Sequence, residues 1–392
     1  MRPCGRVGPC RRASRASTAR PAEHFSCRRQ RGRRQERPLA LHRVRDRAWR
    51  GARPPYWRVF TFRELPLPIV QAPMAGGPST PELVAAVGAA GGFGFLAAGY
   101  LSATQLAADI ARTRTLTDAP FGVNLFVPQA SVAKIAELQA YRLELLPEAA
   151  RYGVELPELV LEASEADGVD NDDWDAKLSV LEASGPAVAS FTFGLPPIAV
   201  VERLHTAGIV VVATVTSVAE AVQAVNVGVD VLCAQGPGAG GHRGTFDPAA
   251  TLATQPLERL LDSLVALTEL PIIAAGGIAS SADVHRVLSH GAVAAQAGTA
   301  FLQAPEAGTK PAHRAALGSA EFVDTAVTRA FSGRAARGLV NRFLQAHATA
   351  PLGYPEVNRL TGPLRAAAAA AGDPHGMALW AGTGHRLVRA RP

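Results

Sequence analysis

From Pro68 onward the chain repeats one unit: a short run of β-branched and small apolar residues, a turn, then an amphipathic helical stretch. That alternation commits a chain to parallel strands, because a parallel neighbour is reached only through a long crossover, usually a helix. Eight such runs are present, at 69–74, 94–98, 121–126, 187–193, 209–215, 229–234, 271–275 and 294–298. Eight units predict an α/β fold of the (β/α)8 type, a TIM barrel, in preference to an open doubly wound sheet.

Capping chemistry marks the helix starts: Thr80 precedes Pro81, and Ser217 with Glu220 and Ser280 with Asp283 have capping-box spacing. Gly228 and Gly291 fall where helices end in a left-handed residue before the next strand. Residues 128–186 are too long for one crossover, and they carry helical signals at 133–146 and 174–183. They predict a helical insertion after the third strand, placed as a cap over the strand ends. Residues 303–392 continue with helical signals and an Arg-rich loop, a C-terminal helical extension adding to the same face or to a subunit contact.

Residues 1–56 differ in kind. They are rich in Arg, Pro, Ser and Gly, lack apolar periodicity and predict a disordered leader in front of a folded body at 57–392. A misassigned translation start is the preferred reading of this leader; a solvated tail touching anionic polymers and an organelle-targeting peptide are the alternatives. The formal charge of +7 is a product of this segment: residues 1–57 hold 17 arginines against Glu23, Glu36 and Asp46, a charge of +14, so the remainder carries −7. An acidic body argues against a barrel built to grip nucleic acid. Three of the four cysteines lie in the leader without metal-ligand spacing, and Cys233 sits in an apolar strand. No disulfide framework or metal site is expected. No apolar run approaches the roughly 20 residues of a membrane span, and a cytoplasmic protein is expected, with the oligomeric state left open by the sequence.

Barrel enzymes bind ligands at the C-terminal ends of their strands, and the unusual residues of this chain collect there. The first strand ends in Gln71-Ala-Pro-Met-Ala-Gly-Gly77, the third holds Asn124, and the sixth runs into Gln235 and the glycine-saturated turn around His242. The seventh ends in Gly276-Gly277, the eighth in Gln296-Ala-Gly-Thr299. Glycines near helix starts present unobstructed N–H groups to a phosphate, so an FMN-like or phosphorylated ligand is expected; each glycine alone is equally well explained by a tight turn. Asn124 and Gln235 are either buried amides satisfied by backbone or donors and acceptors to a ligand ring. His242, flanked by Gly240, Gly241 and Gly244, has no apolar packing role and is read as catalytic or substrate-binding. The other nine histidines are read as structural or exposed, and Arg243 as turned outward.

In order along the chain, Pro68-Ile-Val-Gln-Ala-Pro-Met-Ala-Gly-Gly77, Gly122-Val-Asn-Leu-Phe126, Ala239-Gly-Gly-His-Arg-Gly244, Ala274-Ala-Gly-Gly-Ile278 and Gln296-Ala-Gly-Thr299 resemble the FMN-dependent nitronate monooxygenases, class I, formerly 2-nitropropane dioxygenases. Phe331-Ser-Gly-Arg-Ala-Ala-Arg-Gly338 and Leu379-Trp-Ala-Gly-Thr-Gly384 are similar to class I members as well, and the resemblance covers roughly 66–385. It implies that Met74, Ala75 and Gly76 line the flavin and that Asn124 and Gln235 bind its ring. It assigns Gly240, Gly276, Gly277, Gln296, Ala297, Gly298 and Thr299 to FMN and its phosphate, and the catalytic role to His242. The implied reaction is oxidation of an alkyl nitronate, such as propionate 3-nitronate, by O2 to a carbonyl compound and nitrite, with detoxification as a role. His242 would attract the anion when protonated and take an α-proton when neutral, given an ordinary imidazole pKa. Gly238 departs from the family, standing where many relatives carry an acidic residue, and bears on substrate choice. The rival readings are an FMN-dependent NAD(P)H reductase of enoyl-acyl-carrier-protein or quinone type, and a non-catalytic flavin-binding module tethered to nucleic acid by the leader.

Overall fold

The computed structural model describes residues 60–159 and 172–388. The leader lies outside them. Eight parallel strands form the central sheet: β1 (Ile69–Gln71), β2 (Phe95–Ala97), β3 (Gly122–Phe126), β4 (Val188–Thr192), β5 (Val210–Val215), β6 (Val231–Gln235), β8 (Ile272–Ala275) and β9 (Ala294–Ala297). Their order is β1-β9-β8-β6-β5-β4-β3-β2. The ring is closed between β1 and β2 by a parallel bridge from Val70 to Phe93, where Gln71 N donates to Phe93 O (2.8 Å) and Phe93 N to Ile69 O (3.0 Å). This is the (β/α)8 barrel that the eight-fold alternation predicts. Closure leaves no strand edge exposed.

Period 2 sorts each strand into two faces. Outward residues such as Leu96, Val211, Leu232 and Ile272 pack against the helical ring, while inward residues such as Val188, Val212, Val231 and Ile273 fill the barrel. Phe60 and Phe62 plug its N-terminal end against Phe93, with ring centroids 4.6 and 5.0 Å away. Along the inward face the chemistry changes with height: Val231 and Cys233 are core, and the next inward residue, Gln235, opens to a cavity. The same polarity step places Asn124, Thr192, Thr214 and Gln296 at the C-terminal rim.

The helices are α1 (Pro81–Ala89), α2 (Ala103–Leu116), α3 (Ile135–Glu144), α4 (Leu146–Tyr152), α5 (Trp174–Ser184), α6 (Ile198–Thr206), α7 (Val218–Asn226), α8 (Leu257–Leu267), α9 (Ser281–Ser289), α10 (Pro311–Gly318), α11 (Arg342–Ala346) and α12 (Glu356–Ala370). Thr80 caps α1 and the full capping box forms at Ser280–Asp283. At α7 only half of the predicted box forms. Ser217 Oγ accepts from Glu220 N (3.2 Å), but the Glu220 carboxylate turns to Thr216 N (2.6 Å) and Phe246 N (2.9 Å) instead. The buried carboxylate thus takes two donors from Thr216, just before the cap, and one from Phe246 in the loop that follows His242.

Within 128–186 the structure separates two roles. Trp174, Leu178 and Leu181 of α5 belong to the main core with Ala189 and Phe191, so α5 serves as a helix of the barrel's outer ring. Helices α3 and α4 instead share a second core with the C-terminal extension, in which Leu138, Tyr141 and Leu145 meet Phe331, Phe343, Val357 and Leu360. Tyr141 Oη donates to Ala330 O (2.6 Å), and Arg342 pairs with Glu148 across the same seam. The extension also supplies an antiparallel ribbon, β10 (Thr325–Thr328) and β11 (Ala336–Leu339), to which a two-residue strand β7 (Gly241–His242) is added. It therefore folds onto the strand-end face. No described helix is long and apolar enough to cross a membrane.

Candidate active site

A cavity of about 530 Å³ opens at the C-terminal rim of the barrel, within the roughly 300–1,000 Å³ common for ligand sites. Met74, Ala75 and Gly76 after β1, Asn124 on β3 and Gln235 on β6 all line it. So do Gly240 and His242 in the turn, Gly276 and Gly277 after β8, and Gln296, Ala297, Gly298 and Thr299 at the end of β9. Every residue assigned to the cofactor or to catalysis from the sequence thus lines one cavity, whereas Gly238 does not. No described group of three or more His, Cys, Asp or Glu side chains has the arrangement of a metal site.

The two amides are used differently. Asn124 is buried, and its Nδ2 donates to Ser190 Oγ (2.9 Å), Ser190 O (3.1 Å) and Thr192 Oγ1 (3.1 Å). A carbonyl can only accept, so Nδ2 must face β4, and Oδ1 is left without a donor among the described residues. Gln235 clamps the His242 turn at both ends: Nε2 donates to His242 O (3.0 Å) and Oε1 accepts from Gly244 N (2.9 Å). One Nε2 hydrogen remains for a ligand.

His242 is held by partners distant in sequence. Its register opposite Ala336 fixes the backbone, and its Nε2 lies 2.8 Å from Ser332 Oγ. Trp380 packs on the ring at 5.3 Å and the edge of Phe193 at 5.8 Å. Burial, then the Arg334 and Arg365 guanidiniums, push the imidazole down from 6.5 to about 3. This corrects the expectation of an ordinary imidazole that alternates between charge states near neutral pH. His242 is neutral there, because a buried cation beside two others is unfavourable. Arg243 also departs from expectation: it is buried rather than outward, bonded to the Gly236 and Gln235 carbonyls beneath the turn.

Positive charge comes instead from residues not singled out in the sequence. Lys310 and Arg365 line the cavity and, among the described residues, no aspartate or glutamate does. His313 lines it too, 8% exposed and lowered to about 4 by burial, so one of the histidines read as structural borders the site. Tyr100 and Phe193, two further lining residues, hold φ of +70° and +76°, backbone that non-glycine residues rarely adopt. Such strain gathers at functional sites.

Gly276 and Gly277 have φ of +114° and +74°, and neither their N–H groups nor that of Thr299 has an acceptor among the described residues. A Cβ at Gly238 would stand 2.7 Å from Thr383 Oγ1, and Thr383 N donates to Gly238 O (3.0 Å). The absence of a side chain at 238 thus accompanies close packing of the 380–384 segment against the turn.

A sequence model of the family "Nitronate monooxygenase" matches residues 62–392. The chain belongs to that family. Its members are flavoproteins, so this nitronate monooxygenase family chain is an enzyme of a flavin-dependent oxidoreductase group. Among curated relatives it is 36% identical over 339 residues to a probable nitronate monooxygenase of Staphylococcus saprophyticus, covering 85% of this chain and 93% of the relative. A Staphylococcus aureus counterpart is 36% identical over 340 residues, covering 86% and 93%. Among solved structures, nitroalkane oxidase from Streptomyces ansochromogenes shares 46% identity and a TM-score of 0.78, over 84% of this chain and 92% of that one. FabK from Thermotoga maritima is more distant, at 25% identity and a TM-score of 0.62 over 83% and 88%.

Proposed function

We propose that this chain binds FMN in the rim cavity and oxidises nitronate anions with O2, yielding a carbonyl compound and nitrite. The observation that carries the reading is the electrostatic make-up of the cavity: Lys310 and Arg365 line it and, among the described residues, no acidic side chain does, which suits an anionic cofactor and an anionic substrate. The residues fit FMN. Asn124 Oδ1 lacks a donor, and a flavin ring edge offers an N–H; the unpaired N–H groups of Gly276, Gly277 and Thr299 suit a phosphate. Met74, Ala75, Gly76, Gln235, Gly240, Gln296, Ala297 and Gly298 complete the proposed cofactor set. Bound FMN would supply the electron acceptor for the nitronate and the redox partner for O2.

The chain's own contribution is proton placement and orientation. Ser332 Oγ is 3.2 Å from Arg334 O, an obligate acceptor, and donating its single proton there would leave Oγ to accept from His242 Nε2–H. In that arrangement the imidazole is the Nε2–H tautomer, and its Nδ1 lone pair would take the acidic α-proton of a nitroalkane or order the anion through its polarity. Arg365, a permanent cation, assumes the attraction that a neutral His242 does not provide. Trp380, Phe193 and Tyr354 around the ring exclude water.

Purified protein is expected to be yellow, to release FMN on denaturation and to consume O2 with propionate 3-nitronate. Anaerobic mixing gives the decisive comparison: flavin bleaching by nitronate supports the proposal. Bleaching by NADH or NADPH with none by nitronate, or a protein that stays colourless after FMN reconstitution, overturns it.

A further inference from the structure

The loop that leaves the His242 turn is gripped by two buried groups of opposite charge. Arg334 comes from the extension and Glu220 from the first turn of α7. Arg334 Nη2 donates to Thr245 O, and the Glu220 carboxylate accepts from Phe246 N (2.9 Å). Those two backbone atoms belong to one peptide group. The Thr245–Phe246 amide therefore lies with its oxygen toward a cation and its N–H toward an anion, so its dipole joins the two charges favourably.

Further contacts carry Arg334 to both sides of His242. Its Nη1 donates to Gln129 Oε1 (2.6 Å), and Gln129 Nε2 in turn donates to Phe246 O. Its guanidinium carbon stands 4.0 Å from the centroid of Phe193, the ring whose edge meets His242. The backbone completes the circuit. Arg334 O lies 3.2 Å from Ser332 Oγ, and that hydroxyl is the partner of His242 Nε2. Two buried charges around one amide are a costly way to fasten a loop, because apolar packing would do so without desolvating an ion. An acid–base group, however, must stay within hydrogen-bond reach of the proton it moves, and this loop carries one.

We propose that Glu220 and Arg334 are positioning residues for His242, acting as one clamp through the Thr245–Phe246 peptide. Neither lines the cavity, so each acts through the turn. The clamp fixes the path of the chain on both sides of the imidazole and presents one ring orientation to the substrate. The inference rests on proton removal by His242 in the proposed reaction and names what holds the base in place.

Holoenzyme carrying Arg334→Met, Arg334→Lys, Glu220→Gln, or E220Q with R334M is compared with the unaltered enzyme on two substrates. Nitroethane must lose its α-proton, whereas ethylnitronate has already lost it. R334M is expected to lower the ratio of nitroethane to ethylnitronate turnover by about tenfold, the scale of a lost charge-assisted hydrogen bond. R334K keeps the charge and should recover part of that ratio. E220Q should lower it by about threefold, because its amide oxygen still accepts from Phe246 N. The double variant should fall no further than R334M alone, since one clamp breaks once. Equal losses on both substrates, no recovery in R334K, or losses that multiply in the double variant overturn the clamp. Nitrogen NMR of histidine-labelled protein, with the His242 signals assigned by their absence in H242N, reads the imidazole without turnover. One His242 tautomer in the unaltered protein and a mixture in R334M and E220Q are expected, and any other pattern overturns the proposal. If nitroethane is not oxidised while that pattern holds, proton removal by His242 falls and the clamp stands.

Discussion

The barrel interior and the second core are built by opposite means. In the barrel, Val188, Val212, Val231 and Ile273 come from strands that each repeat the same two-residue alternation, and neighbours in space are mostly neighbours in chain order. The second core joins Leu138 and Tyr141 of α3 to Phe331, Phe343 and Leu360, with some 190 residues between the partners of the Tyr141–Ala330 hydrogen bond. The first arrangement delivers backbone N–H groups and amides to a rim, and the second delivers Ser332, Trp380 and Arg365 across it. The groups proposed for the cofactor come from the barrel, whereas the groups that hold His242 come mainly from the extension, as do the cavity cations Lys310 and Arg365.

That division is open to attack at His242, where the two halves meet. His242→Asn is expected to lower turnover of a nitroalkane, whose α-proton must be removed, by about 10²-fold or more, the scale of lost acid–base catalysis, with FMN affinity retained because the strand-end groups proposed for the cofactor are unaltered. Loss of flavin in this variant would break the division, since His242 would then belong to the cofactor half. Ser332→Ala tests the extension's share: kcat is expected to fall about tenfold, as for one lost orienting hydrogen bond. Ser332→Thr, which keeps the hydroxyl, should restore most of it. Equal loss in both variants would point to packing of the 331–334 loop and not to tautomer control.

The smallest effect is on stability against pH. His242 and His313 are lowered by burial to about 3 and about 4, against 6.5 in an unfolded chain. Between those values the unfolded state binds more protons, so the contribution of keeping these rings neutral is fully present above pH 6.5 and is lost as pH falls toward 3. Urea denaturation at pH 7 and pH 5 should show a smaller acid-side loss in His313→Asn than in the unaltered protein. An unchanged or steeper loss would mean that this ring is not held neutral.

Several of these features are readable in the residues alone. Strand positions follow from runs such as Val-Val-Val-Ala-Thr-Val at 210–215, and Gly228 and Gly291 do take the left-handed φ of +86° and +88° that a helix stop before a strand requires. Asn124 and Gln235 stand out as amides in apolar runs, but not the division of labour between them, because Gln235's partners are backbone atoms of a turn whose path depends on β11. Asn358, Gly362 and Arg365 of α12 are visible as one helix face, yet a polar face on a helix ordinarily meets solvent, and this one lines the cavity. Phe331-Ser-Gly-Arg334 marks the family without indicating that its serine touches His242.

Local chemistry alone therefore determined the elements, the barrel they form and the rim residues, because strand period, capping and glycine placement act between near neighbours and closing eight repeated units is their shared solution. Tertiary structure decided the electrostatics. The lowered pKa of His242 depends on burial and on Arg334 and Arg365, and charges act through space across whatever distance the fold leaves between them.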